Sequence, residues 1–391
     1  MTRRRAHIAM VGIPAVSHIL PSVAVIRELV ARGHRVTYAN DPAVADLVAT
    51  TGAELVPCPS TLPVAANDWP DDPIAAMGLF LDDSVQALPR LRAVYDADPA
   101  DVYLYDIGAY AARALAEAQG RPLVQLSPAM VGWEGYEEEV GAYLRQLPGA
   151  DAYRERFAGW LAGCGATTTD VDAFSGRPRR ALALITRAMQ PHADKVDAEA
   201  VTFVGPCFDP AEDAGAWTRP AGASKVLLVS LGSAYTRQPE FYRQCLAAYG
   251  DLPGWHVVLS IGKHTDPAEL GPLPRNTEVH SWVPQRAVLA QADAFVTHAG
   301  MGGCSEGLLS GVPMIAVPQA VDQFMNADRL VELGVARRID TADATAEALR
   351  AALLTLTADP EVARRSAALQ AAARSEGGTS RAADLVEAVL N

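Results

Sequence analysis

Short runs rich in β-branched and aliphatic residues alternate with helical patterns along this 391-residue chain, and the alternation occurs in two successive sets. The first set comprises residues 7–11, 35–39, 54–57, 102–105, 122–126 and 181–185. The second comprises 226–230, 255–261, 277–281, 294–297 and 313–317. Parallel strands need long crossovers, usually helical, so this pattern predicts parallel sheets covered by helices. The length also exceeds what one hydrophobic core usually serves, and half the residues are apolar, enough for two cores. Two doubly wound α/β units in series are expected.

Between the sets, residues 205–224 carry Pro206, Asp209-Pro210, Asp213-Ala-Gly215 and Pro220 with no apolar periodicity. They are expected to form a linker. Ligands of doubly wound sheets bind outside the carboxyl ends of the strands, and small-molecule sites favour domain interfaces. The chemistry is therefore expected in a cleft between the halves.

A net charge of −13 and a pI near 5.1 argue against nucleic acid or an anionic membrane as partner. Cys58, Cys164, Cys207, Cys245 and Cys304 are odd in number and never spaced C-x-x-C, as expected of reduced thiols in a cytoplasmic protein. Arg3-Arg4-Arg5 precedes an apolar run, but Pro14, His18 and Pro21 interrupt it, so no secretion signal is read. No stretch approaches the roughly 20 apolar residues of a membrane helix.

The second half contains Trp282-Val283-Pro284-Gln285, then His298-Ala299-Gly300-Met301-Gly302-Gly303-Cys304-Ser305-Glu306-Gly307, then Asp322-Gln323. A strand feeding a glycine-rich turn that opens a helix presents backbone N–H groups and a positive dipole end to a diphosphate. His298 adds a donor there. Trp282 offers a nucleobase a stacking surface, Glu306 accepts from vicinal ribose hydroxyls, and Asp322 with Gln323 suits sugar hydroxyls. Each residue also has a plainer reading, with Trp282 as core, Glu306 as helix surface and Gly302-Gly303 as a tight turn.

In the first half, the strand 7–11 leads through Gly12 to Pro21 into a helix. Proline suits the first helical turn and Gly33 the C-terminal end, so His18 is expected on the loop entering the helix. A helix N-terminus disfavours imidazolium and keeps such a histidine neutral, as a general base requires. Asp170-Val171-Asp172 mimics a D-x-D metal motif but reads as a solvated helix start. His34, His256 and His280 read as structural.

In combination, the second-half motifs resemble the family 1, UDP-dependent glycosyltransferases, in which W-x-P-Q, H-x-G and D-Q recur in this order. The resemblance covers nearly the whole chain, is densest over residues 226–333, and is strongest to the bacterial macrolide glycosyltransferases. It implies the GT-B architecture: two doubly wound Rossmann-like domains facing each other across a cleft. Residues 1–204 would bind the acceptor and 225–391 the nucleotide sugar, with the final helix able to pack back on the N-terminal domain.

On the same resemblance, Trp282 would meet the uracil and Glu306 the ribose, with Gln285 among the donor-binding residues. His298, Gly302, Gly303 and Ser233 of Ser230-Leu231-Gly232-Ser233 would hold the phosphates, and Asp322-Gln323 the hexose. Plant members carry Trp-Asn-Ser where this chain has Met301, Gly302 and Gly303, so phosphate contacts here fall to backbone amides. His18 with Pro21 matches the family's H-x-x-P. Val16-Ser17-His18 stands where many relatives have His-Gly-His, and Asp106 matches the partner acid that orients the base.

The implied reaction is an inverting, metal-independent transfer of a hexose, with His18 as base assisted by Asp106 and no cofactor beyond the co-substrate. UDP-glucose is favoured over a dTDP-deoxysugar, because Glu306 and Asp322 would each lose a partner at about 1–3 kcal/mol. Met77, Phe80, Trp133 and Tyr136, read as loop residues, suit a lipophilic alcohol or phenol, which the resemblance narrows to a macrolide or comparable polyketide. The alternatives are a dTDP-deoxysugar transferase, an acceptor-free epimerase or hydrolase, and a catalytically silent nucleotide-sugar-binding partner protein.

Overall fold

The computed structural model describes residues 5–66, 68–209, 215–233 and 235–390. It divides into two compact units. The first comprises Met1–Thr186, His192–Phe208 and Glu376–Asn391; the second comprises Arg187–Pro191 and Asp209–Ser375.

The first unit is built on β1 (His7–Val11), β2 (Arg35–Asn40), β3 (Glu54–Pro57), β4 (Val102–Asp106), β5 (Leu123–Ser127), β6 (Ala181–Ala183) and β7 (Val201–Phe203). All pair in parallel in the order β3-β2-β1-β4-β5-β6-β7. Side chains alternate between two buried faces, as a pleated strand requires. Ile8 and Met10 join one core with Tyr38, Leu104 and Val386, whereas Ala9 and Val11 join another with Tyr105, Leu115 and Phe157. The helix Gly378–Glu387 contributes Ala382, Ala383 and Val386 to the first of these cores. Its Glu387 bonds the buried His34 at 3.0 Å and Arg32 at 2.8 Å.

The second unit carries β8 (Lys225–Ser230), β9 (Trp255–Ser260), β10 (Thr277–His280), β11 (Ala294–Thr297), β12 (Met314–Ala316) and β13 (Ala336–Arg338). These are parallel in the order β10-β9-β8-β11-β12-β13. Strand order therefore reverses between β1 and β4 in one unit and between β8 and β11 in the other. At these switch points neighbouring crossovers diverge and open a crevice at the strands' carboxyl ends.

Three expectations need correction. The helix after β1 runs Val16–Ala31, so His18 lies in its first turn and Pro21 lies inside it. The proline is tolerated because the carbonyl it deprives of a donor belongs to Ser17, an exposed residue near the helix start. Met77 and Phe80 sit on the long helix Pro73–Tyr95, not on a loop; Asp72 caps its start and Pro73 opens it. The expected linker is packed at both ends, with Cys207 buried and Trp217 donating to Glu278 at 2.8 Å. Its residues 210–214, like Arg3 and Arg4, lie outside the described residues. β7 and β13 were not anticipated.

Candidate active site

The first switch point gathers His18 and Asp106. Asp106 is the last residue of β4, pointing off the strand's carboxyl end, and it is 2% exposed. Its Oδ2 lies 2.8 Å from His18 Nδ1, while Oδ1 accepts the Gly108 N–H at 2.8 Å. The Gly108 bond pins the carboxylate, which in turn orients the imidazole. An Nδ1–H donated to Asp106 leaves the lone pair on Nε2, the arrangement of an oriented general base. His18's side chain is about a quarter exposed, so the ring reaches the surface while its partner stays buried.

The second switch point places Ser230-Leu231-Gly232-Ser233 after β8 beside the turn after β11. The helix Met301–Ser310 starts there with Gly300 as its cap residue and no side-chain cap. Its first intrahelical bond is Cys304 N–H to Gly300 carbonyl, so the amides of Met301, Gly302 and Gly303 precede the ladder. Gly302 is exposed, and a Cβ there would meet nothing within 4 Å; Gly303 backs onto Thr297 Oγ1. An uncapped, glycine-lined helix start presents the backbone N–H groups and the positive dipole end that favour an anion.

His298 is seated by two glycines. A Cβ on Gly232 (φ 75°) would lie 2.5 Å from His298 Cε1, and one on Gly300 would lie 2.4 Å from Nε2. Burial pushes the imidazole down to about 4, so it is neutral at physiological pH. Its Nδ1 is buried without a hydrogen-bond partner among the described residues. A buried polar atom so placed costs stability unless a ligand engages it.

Trp282 is 75% exposed, which excludes a core role and leaves its ring face open for stacking. Gln285 opens the helix Gln285–Leu289 and donates to Glu306. Asp322 precedes the helix Gln323–Glu332 and accepts from Asn326 at 2.9 Å. Gln323 is buried and uses its carbonyl to accept the Gln319 and Ala320 N–H groups, thereby shaping the loop. Ser233 is exposed at the end of the β8 loop.

Backbone strain concentrates in the same unit's site. Ala299 (φ 60°) and Val321 (φ 47°) are left-handed, and the latter is a β-branched residue for which that region is an outlier. Such positions cost on the order of 1–3 kcal/mol each and persist where surrounding contacts over-determine them.

Of the acceptor candidates, Met77 and Tyr136 share a pocket of about 220 Å³ in the first unit, lined by apolar Ile74, Leu144 and Val171, by Tyr153, and also by charged Glu137, Arg145, Arg154 and Asp172. Phe80 instead stacks on Trp69 at 5.6 Å and lies against Gly108 beside Asp106. Trp133 packs edge-on to Tyr136 at 5.0 Å. Asp170 caps the helix Val171–Gly176, and Asp172 pairs with Arg154 and Arg145, so both carboxylates have structural partners. His34, His256 and His280 each pair with a glutamate. Sequence reading passed over the glycine seat of His298 and the roles of Asn326 and Tyr153.

Residues 201–370 match the model of the family described as UDP-glucoronosyl and UDP-glucosyl transferase. Oleandomycin glycosyltransferase of Streptomyces antibioticus is 55% identical over 98% of this chain and 91% of its own. The chain belongs to this family. The transferase is also 33% identical to the NDP-glycosyltransferase YjiC of Bacillus licheniformis over 98% of both chains. It superposes on the crystal structure of the glycotransferase of kitacinnamycin with a TM-score of 0.92, at 53% identity over the full length of both. Its two parallel-sheet, Rossmann-like units are those of the GT-B glycosyltransferases. Among its described residues, no helix is long and apolar enough to cross a membrane.

Proposed function

We propose that this transferase moves glucose from UDP-glucose to a hydroxyl of a large lipophilic natural product, a macrolide or comparable polyketide, with inversion to a β-O-glycoside. The observation that carries this reading is the His18–Asp106 pair, a partly exposed imidazole held at 2.8 Å by a buried, pinned carboxylate at a topological switch point. His18 Nε2 takes the acceptor's proton, and the oxygen attacks the anomeric carbon from the face opposite the nucleotide. The bond from that carbon to the diphosphate oxygen breaks, and UDP departs. Asp106 stabilises the imidazolium as it forms.

Charge developing on the leaving diphosphate is met by neutral His298, by the amides of Gly302 and Gly303 and by the helix start, so no metal is needed for this step. Trp282 stacks on the uracil, and Gln285 with Glu306 takes the ribose end. Asp322 faces the hexose, and buried Gln323, its carbonyl held by the Gln319 and Ala320 N–H groups, has only its amide N–H group to offer the sugar. An intact ribose and a hydroxylated hexose each offer a further donor to the acceptor-rich carboxylates of Glu306 and Asp322, which supports UDP-glucose over a dTDP-deoxysugar.

For the acceptor, the apolar residues of the pocket at Met77 and Tyr136 support a lipophilic alcohol or phenol, with Trp133 packed on Tyr136 and Phe80 set instead against Gly108 beside Asp106. Relatives named for oleandomycin and kitacinnamycin support the natural-product class. Mass spectrometry after incubation with UDP-glucose or dTDP-glucose and a macrolide and phenol panel, with and without EDTA, tests the whole reading. A gain of one hexose from UDP-glucose, unchanged by EDTA, is expected. Metal dependence would refute the mechanism, and preference for dTDP donors would refute the donor.

A further inference from the structure

The two left-handed residues of the donor site, Ala299 and Val321, lie on different strand-to-helix connections, yet one side chain ties both together. Asn326, on the helix Gln323–Glu332, is wholly buried. Its Nδ2 donates to the Ala299 carbonyl at 3.0 Å and to Asp322 Oδ2 at 2.9 Å. Its backbone N–H closes onto the Asp322 carbonyl at 3.0 Å. Both amide hydrogens are therefore spent: one on the strained residue between His298 and Gly300, the other on the carboxylate directly after strained Val321.

The other end of the amide shows what fixes this geometry. Asn326 Oδ1 is buried with no hydrogen-bond partner among the described residues. The side chain is thus placed by its two donations, and an unpaired acceptor is tolerated to keep them. A residue selected only to fill space would carry no such orphan, and an aliphatic side chain would fill the same volume.

We propose that Asn326 is a positioning residue that couples diphosphate recognition to hexose recognition. It touches neither group. It aims Asp322 from the same nitrogen that holds the His298–Gly303 turn in shape, so the carboxylate is correctly placed only while the phosphate-binding turn is formed. This rests on the reading of the second unit as the donor site.

The test is calorimetric titration of the full chain with UDP and with UDP-glucose, for wild type, Asn326→Ala, Asn326→Ser, Asp322→Ala and the double variant Asp322→Ala/Asn326→Ala. The ratio of the two dissociation constants in each protein measures what the hexose adds. Asp322→Ala is expected to reduce that ratio while leaving UDP affinity within about twofold. Asn326→Ala is expected to weaken UDP about tenfold or more and also to abolish the hexose increment. In the double variant, Asn326→Ala then costs only the UDP share.

Serine keeps one hydroxyl donor, so Asn326→Ser should retain part of one function and provides a second variant if alanine does not fold. Equal weakening of UDP and UDP-glucose, with the hexose increment intact, would overturn the coupling and leave Asn326 a packing residue. Wild type binding neither ligand would overturn the donor assignment itself, an outcome distinct from the first.

Discussion

Asp106→Asn isolates the charge of the partner acid from its shape. The Gly108 N–H at 2.8 Å holds one side-chain oxygen, and an asparagine satisfies it with its carbonyl. The amide nitrogen is then turned toward His18 Nδ1, where a carboxylate oxygen stood at 2.8 Å. Two donors cannot share that contact, so the ring must present its Nδ1 lone pair and carry its proton on Nε2, the wrong tautomer for a base. The attraction to the nascent imidazolium is also lost. With charge centres about 4 Å apart, that attraction is about 4 kcal/mol at an effective dielectric of 20. Each 1.36 kcal/mol is a factor of ten, so kcat is expected to fall about a thousandfold. UDP affinity, which the proposed donor site places in the other unit, should stay within twofold by calorimetry, and the circular dichroism spectrum should be unchanged. Turnover within tenfold of wild type, in a folded variant with normal donor affinity, would refute the assignment of Asp106.

Trp282→Ala removes an exposed ring that stabilises nothing in the free protein, so the thermal midpoint should hold while UDP binding weakens by about 1–3 kcal/mol, read by calorimetry. His298 gives a pH signature. Its folded-state value of about 4 lies below the unfolded 6.5, so protons favour the unfolded chain. Stability is therefore lost as pH falls from about 6.5 to about 4, by about 3 kcal/mol in full, and His298→Gln should flatten that slope in urea titrations at stepped pH. Glu117→Gln strips the charge partner from Arg113, which is buried and bonded to Glu117 at 3.0 Å, so the urea midpoint should fall by the equivalent of about 3–5 kcal/mol.

The strands that carry the site were legible because they are long, buried on both faces and flanked by turn residues. β7 and β13 were not: three residues show no period by themselves, β6 and β12 being legible only within the longer runs 181–185 and 313–317, and Arg337 with Arg338 reads as surface until β12 supplies a neighbour. Proline misled at the start of the first helix, because it suits the first turn and was read as marking it, whereas Pro21 sits at the sixth position, past that turn. Pro89 likewise sits inside the long helix where Met77 and Phe80 were expected on a loop. The His18–Asp106 contact spans 88 positions and follows from topology, since β1 and β4 are neighbours whose carboxyl ends coincide. The His298 seat does not follow from it. Gly232 belongs to a recognisable loop, but only coordinates show that its missing Cβ makes room for an imidazole from another strand.

The return of residues 376–391 to the first unit has a consequence for synthesis. The ribosome delivers the second unit's 209–375 before the helix Gly378–Glu387 that fills one core of the first. Until then Ala382, Ala383 and Val386 are missing from beside Ile8 and Met10, and His34 lacks Glu387. The second unit is thus free to fold as it emerges, whereas the first, made earlier, must wait half-finished for its last helix. Hybrid enzymes that exchange donor units between relatives should therefore be cut twice, near 208 and near 376, so that each recipient keeps its own closing segment.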